Sequence, residues 1–259
     1  MKHFSTTLRL VLPALLLCSL PVHALELKGR LEWQHKVDMR VVENGVIDAV
    51  NVTTGQHVNK GDLLVRMDQR KQKAALLEAK ARVARATLSM DDAERDMART
   101  QELFDRGLIA EEELKDGELK KAVATTEMES AKATEEAAQV ALGHTELKAP
   151  FAGIIAANNA WQGAVIFAGK QDQPLVSLAP DDQMLARVLV TADVLRRYAV
   201  GSTAQVQVNG DNRSGKVYSQ GVEAVRIEPE GAIYELDILF KRNAKEVLRP
   251  SESVRVILP

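Results

Sequence analysis

QRKQKAALLEAKARVARATLSMDDAERDMARTQELFDRGLIAEEELKDGELKKAVATTEMESAKATEEAAQVALGHTE occupies residues 69–146, contains no proline, and has glycine only at positions 107, 117 and 143. Leu76, Val83, Met90, Met97 and Phe104 recur every seven residues, and Ala79, Ala86 and Ala93 follow the first three of them by three. Large residues at one heptad position and alanine at the other predict a helix packed closely on a partner. A second run, Leu119, Val123, Thr126, Ser130, Ala133, Ala137 and Val140, steps by four and three and is read as the answering seam. Between the runs Gly107 marks a helix stop. Ala110 and the acids Glu111, Glu112 and Glu113 mark a restart, because carboxylates suit the positive end of a helix dipole. The stretch therefore predicts an antiparallel coiled-coil hairpin. Its arms of about 34 residues, at 1.5 Å per residue, reach about 50 Å.

The whole chain has 259 residues, room for two or three small domains. A net charge of −2, 4% aromatic residues and no basic cluster argue against a nucleic-acid partner. Lys2 and Arg9 precede the apolar run LVLPALLLCSLPV, which ends at Val22-His23-Ala24. This pattern predicts a secretory signal over 1–24, cleaved after Ala24. The alternative is an uncleaved anchor helix, although Pro13 and Pro21 shorten the apolar stretch below a comfortable span. The one cysteine, Cys18, lies inside the signal behind the large Leu17, which argues against lipid attachment. The mature chain then has no thiol for a disulfide, a metal or nucleophilic catalysis. It is expected to be soluble or peripheral, and residues 25–39 to form an N-terminal segment.

Two short glycine-punctuated stretches flank the rod. Residues 40–68 include VVENGVIDAVNVTTGQHVNKGDLLVRMD, with a strand around Val46 to Val52 and turns at Gly45, Gly55 and Gly61. Residues 147–180 include LKAPFAGIIAANNAWQGAVIFAGKQDQPLVSLAP, with turns at Pro150 and Gly153. Each half is too small to bury a core alone. Because an antiparallel rod returns its end to its start, the halves are expected to meet as one β domain, with the rod inserted at a loop tip.

GVIDAVNVTTGQHVNKGDLLVRMD and LKAPFAGII, separated by a heptad hairpin, resemble the split lipoyl-like domain of periplasmic adaptor proteins. These are also called membrane fusion proteins, and the close cousins are those serving tripartite efflux pumps. The resemblance covers roughly residues 40 to 259. True lipoyl and biotin carriers share the shorter motif, but their lysine sits at a hairpin that the rod replaces here. Lys60 and Lys148 occupy other positions and read as solvated, so no cofactor is expected.

From Asp181 the pattern changes to short strands and one short helix behind Thr191. This predicts a small closed β-barrel over 181–259, which resembles the barrel domain of the same adaptors. The last turn reads Pro250-Ser251 where the family usually has Pro-Gly. Efflux adaptors of this kind commonly add a membrane-proximal domain after the barrel; here no evident complete one is expected, with residues 25–39 the remaining candidates for part of it. The expected fold is mixed α and β, elongated: a hairpin inserted in a split lipoyl-like domain, followed by the barrel.

Enzymatic readings find little support. His35, His57 and His144 are far apart and lack ligand spacing, so no metal is expected. Met90 and Met97 read as seam packing and Met67 as the end of a strand. The acids of MDDAERD spread around a helix surface. No phosphate loop, nucleophile elbow or carboxylate pair in a pKa-raising context is present.

The informative positions lie at the rod tip. Adaptors that meet outer-membrane channels carry Arg-x-x-x-Leu-x-x-x-x-x-x-Ser there. This chain has Arg99 and Leu103, with Ala110 in place of the serine. By this resemblance Arg99, Leu103, Arg106, Gly107 and Ala110 form the expected contact with a channel of the TolC type. Arginine would offer several donors to carbonyls, and leucine would fill a groove between helices. The bland alternative is that Arg99 is solvated and Leu103 merely closes the coil. The resemblance implies a non-enzymatic periplasmic adaptor, peripheral to the inner membrane. It would join a transporter, of the resistance-nodulation-division (RND) type first and ABC second, to that channel, as a homo-oligomer of six copies by the same resemblance. The alternative is a structural or regulatory periplasmic coiled-coil protein without a channel partner.

Overall fold

The computed structural model describes residues 24–229, 231–243, 246 and 248–259. The expected signal, Ala24 excepted, lies outside the described residues. The first strands are β1 (Leu25–Trp33), β2 (Val37–Met39), β3 (Gly45–Val50), β4 (His57–Val58) and β5 (Leu63–Met67). Two helices follow, α1 (Arg70–Asp105) and α2 (Glu111–Gly143), then β6 (Glu146–Lys148), β7 (Gly153–Asn158), β8 (Val165–Ile166) and β9 (Val176–Ala179). The chain continues with β10 (Gln183–Thr191), α3 (Ala192–Arg197), β11 (Thr203–Val208) and β12 (Asp211–Gln220). It ends with β13 (Arg226–Glu228), β14 (Gly231–Lys241) and β15 (Ser253–Leu258). These elements form two compact units.

In one unit, two four-stranded sheets have the orders β2-β9-β7-β4 and β6-β5-β3-β8. Each sheet takes two strands from before the hairpin and two from after it, so neither half could close a sheet alone. Ile47, Leu64, Val65 and Met67 from the first half share one core with Ile155, Val176 and Leu178 from the second. Gly55 and Gly61 sit at turns with φ of +85° and +90°, and Pro150 lies in the bend between β6 and β7. Gly45 and Gly153, expected at turns, instead open β3 and β7. A Cβ on Gly45 would stand 3.0 Å from Met67 Cε, and one on Gly153 only 2.2 Å from the Ala179 carbonyl oxygen. Gly153 is glycine because the β9 backbone crowds it, whereas at Gly45 the only close neighbour is the flexible end of the Met67 side chain.

The hairpin arms have 36 and 33 residues. At the base, the Asp68 carboxylate accepts the Arg70 backbone N–H at 3.0 Å and pairs with its guanidinium. Arg70 holds the Asp68 carboxyl down at about 2. Across the base, Gln69 donates to Thr145 at 2.9 Å and to Glu146 at 3.1 Å, tying the start of one arm to the end of the other. Hydrogen bonds from Lys148 and Gln69 also lower the Glu146 pKa.

On α1 the expected seam faces inward: Leu76 and Ala79 are buried, and Val83, Ala86, Met90, Ala93 and Met97 are half-buried. On α2 the expected seam is wrong. Leu119, Val123, Thr126, Ser130, Ala133, Ala137 and Val140 are all exposed, and the inward stripe is Leu114, Gly117, Lys121, Ala124, Met128, Ala131, Glu135, Ala138 and Leu142. Volume explains the choice. Lys121 pairs with Glu94 at 3.0 Å, and a Cβ on Gly117 would lie 3.2 Å from Met97 Sδ. In that register Leu76, Val83, Met90 and Met97 fall level with Ala138, Ala131, Ala124 and Gly117. Large residues oppose small ones, so the axes can approach closely.

In the second unit the sheet order is β10-β1-β15-β11-β12-β14-β13, and a β10–β14 pairing closes it into a six-strand barrel with β13 as a flap. One barrel strand is β1, whose Leu25 to Arg30 pair with Leu258 to Ser253. Residues 25–39 are thus no loose segment: β1 completes this barrel, and β2 pairs with β9 in the other unit. The alternation of LELKGRLEW was the available signal. Thr191 stands at the α3 N-cap, yet its side chain makes no capping bond. Ser251 adopts the left-handed φ of +70° that the usual glycine would take freely. Inside, Arg187 grips the buried Asp237 at 2.7 and 3.0 Å, and Ser219 donates to the same carboxylate at 3.0 Å. The bond to Asp237 raises the Arg187 pKa further.

Candidate partner-binding tip

The tip is built by a particular helix ending. The Gly107 N–H donates to Phe104 O at 2.8 Å and the Leu108 N–H to Leu103 O at 2.9 Å. These paired bonds, with Gly107 left-handed at φ +71°, define a Schellman cap. A side chain at 107 would strain that conformation. The cap turns the chain sharply, so three residues suffice before Glu111 begins α2.

Arg99, Leu103 and Arg106 are spaced by four and three, which aligns them on one face of α1. Arg99 and Leu103 line a shallow groove between the arms, opposite Glu113 and Asp116. Arg99 pairs with Asp96 at 3.1 Å, both side chains being mostly exposed, and Arg106 pairs with Glu102. Such exposed pairs hold little energy, so both guanidiniums can be given up to a partner. Ala110 occupies the α2 N-cap with extended backbone and no side-chain cap bond, although Glu111, Glu112 and Glu113 fill the first turn. Ala110→Ser is expected to supply the missing acceptor and stabilise the hairpin by about 1 kcal/mol. Urea unfolding followed by helical circular dichroism measures this, and no rise in midpoint would mean that the loop keeps the hydroxyl from the free N–H groups.

Leu108, 65% exposed at the apex, is absent from the expected contact set. A Schellman cap commonly carries an apolar residue just after its glycine, and that rule was the signal that could have found it.

The histidines lie elsewhere. His35 meets Phe151 edge-on at 5.2 Å between ring centres, His57 contacts Asp181 at 2.6 Å, and His144 caps the end of α2. Among the described residues no three potential metal-ligating side chains gather, and no helix is long and apolar enough to cross a membrane.

A helical hairpin inserted in a two-sheet sandwich, together with a six-strand barrel in the same chain, defines the class of membrane fusion, or periplasmic adaptor, proteins. Residues 35–178 match the family described as RND MFP, barrel-sandwich hybrid domain, and the chain belongs to that family. Such adaptors are non-enzymatic structural linkers. The multidrug resistance protein MdtA of Yersinia enterocolitica is 41% identical over 71 residues, 27% of this chain and 16% of that protein. The chain thus covers a minor part of this relative's length. The membrane fusion protein Spr0693 from Streptococcus pneumoniae R6 shares the fold with a TM-score of 0.65 at 14% identity, over 90% of this chain and 97% of its own. A MacA-MexA chimera carrying the Pseudomonas aeruginosa MexA α-hairpin gives a TM-score of 0.66 at 20% identity, over 90% and 80% of the two chains.

Proposed function

We propose that this protein is the periplasmic adaptor subunit of a tripartite export system, joining an inner-membrane transporter to an outer-membrane channel of the TolC type. The observation that carries this reading is the placement of the hairpin. Its base is tied into a sandwich completed by both flanking halves, while its tip is capped, short and exposed. A rod fixed at one end and free at the other transmits position across a gap and needs no chemistry. Arg99, Leu103, Arg106, Gly107 and Ala110, with Leu108 added, form the channel contact. The transporter is of the RND type, in keeping with the family's description, with an ABC pump second. Several copies, six by resemblance, surround the transport path at the periplasmic side of the inner membrane.

A photo-crosslinking residue at position 103, introduced in living cells, tests the reading. Capture of an outer-membrane channel protein is expected. Capture of periplasmic proteins alone, at normal expression, would sink it in favour of a coiled-coil protein without a channel.

A further inference from the structure

The outer wall of the barrel carries a surface pocket of about 380 Å³ lined by Lys28, Gly29, Arg30, Arg187, Leu189 and Arg226. Four of these six residues are cations and none is an acid, and all belong to the barrel unit. Three strands bring them together. Lys28 and Arg30, two apart on β1, share its outward face, and Arg187 and Leu189 do the same on β10. Arg226 comes from β13. Gly29 sets the approach: a Cβ there would stand 2.3 Å from the Arg187 carbonyl oxygen, so glycine lets β1 pass this close to β10.

The cations differ in how firmly they are held. Asp237 fixes Arg187 at 2.7 Å, with Glu235 3.5 Å away. Arg30 pairs with Glu32 at 2.9 Å and Arg226 with Glu228 at 2.6 Å, both guanidiniums being mostly exposed. Such exposed pairs contribute little, so both arginines can turn to a stronger anion while Arg187 stays as a fixed wall. Lys28 makes no ion pair among the described residues. It stands directly opposite Arg255 across the β1–β15 ladder, and Glu26, the nearest acid on its own strand face, is turned to Arg255 at 3.6 Å. Like charges facing each other across a ladder are destabilising, and a bound anion would relieve that.

We propose that this pocket binds a phosphate group, carried either by a lipid headgroup or by a soluble ester. Guanidiniums match phosphate oxygens in bidentate pairs. One such fork satisfies a planar carboxylate, whereas cations arriving from three strands surround a tetrahedral anion whose oxygens point in several directions. The volume lies within the range of small-ligand sites, and Leu189 offers the carbon side of the ester an apolar contact. The site stands or falls independently of what the hairpin tip grips.

Isothermal titration calorimetry of the purified protein with inorganic phosphate and with glycerol phosphate tests the site. Binding is expected, and Lys28→Ala with Arg226→Ala should weaken it about a hundredfold, about tenfold for each charge-assisted bond lost. Both side chains are exposed, so this variant should melt like the parent. Lys216→Ala, exposed on β12 across the barrel, should bind unchanged. Vesicles of phosphatidylglycerol distinguish the two sources. Co-sedimentation of the parent but not of the double variant assigns the site to a headgroup, and phosphate binding without co-sedimentation assigns it to a soluble ester. No heat with either phosphate together with no co-sedimentation would overturn the proposal. So would binding that the double variant retains, or that Lys216→Ala loses equally.

Discussion

Leu103→Asp is expected to abolish export while leaving the protein folded and expressed. Leu103 is half-buried on the face it shares with Arg99 and Arg106, beside a groove lined by Glu113 and Asp116. In the proposed channel contact, a carboxylate there would have to take the place of an apolar side chain without a partner. The loss of affinity is roughly 3 kcal/mol, more than a hundredfold. Arg99→Asp should act in the same direction by reversing the charge offered to channel carbonyls. Its ion pair with Asp96 is exposed, so folding should not suffer. Complementation of a deletion strain, scored as drug or metal susceptibility against immunoblotted protein, measures both. Full protection by either variant at normal expression would remove that residue from the contact.

Gly153→Val is expected to produce the largest loss of stability. The added Cβ would stand 2.2 Å from Ala179 O and 3.0 Å from Ala179 C, both backbone atoms of β9. All four residues of β9 are buried, so the strand cannot recede without opening the core around Leu178 and Ile155. Overpacking of this kind costs about 3 kcal/mol, which lowers Tm by roughly 10 °C in a unit of this size. Differential scanning calorimetry reads the shift directly. An unchanged Tm would mean that β7 and β9 can separate at this point without disturbing the core.

Much of the tip was legible because it is local. A helix places residues four and three apart on one face, so the alignment of Arg99, Leu103 and Arg106 follows from their spacing. Gly107 likewise follows from the need for a left-handed residue after the last turn. Leu108 was missed because exposure at the apex depends on what the loop packs against, which no periodicity reports. The glycines divide the same way: Gly55 and Gly61 answer to their own backbone angles, whereas Gly153 answers to a strand distant in sequence.

The sequence by itself determined that there is a long hairpin, where it turns, and that two β halves flank it, because helix period, caps and turn residues act within a few positions. Only the tertiary structure decided which face of α2 meets α1. Two stripes on α2 share the same spacing, and the more apolar one lost. Alanines and Gly117 admit the large α1 residues, and that volume match exists only between the two arms. It likewise decided that β1 completes the barrel, since strand closure depends on which backbone edges remain unpaired after the rest of the chain has folded.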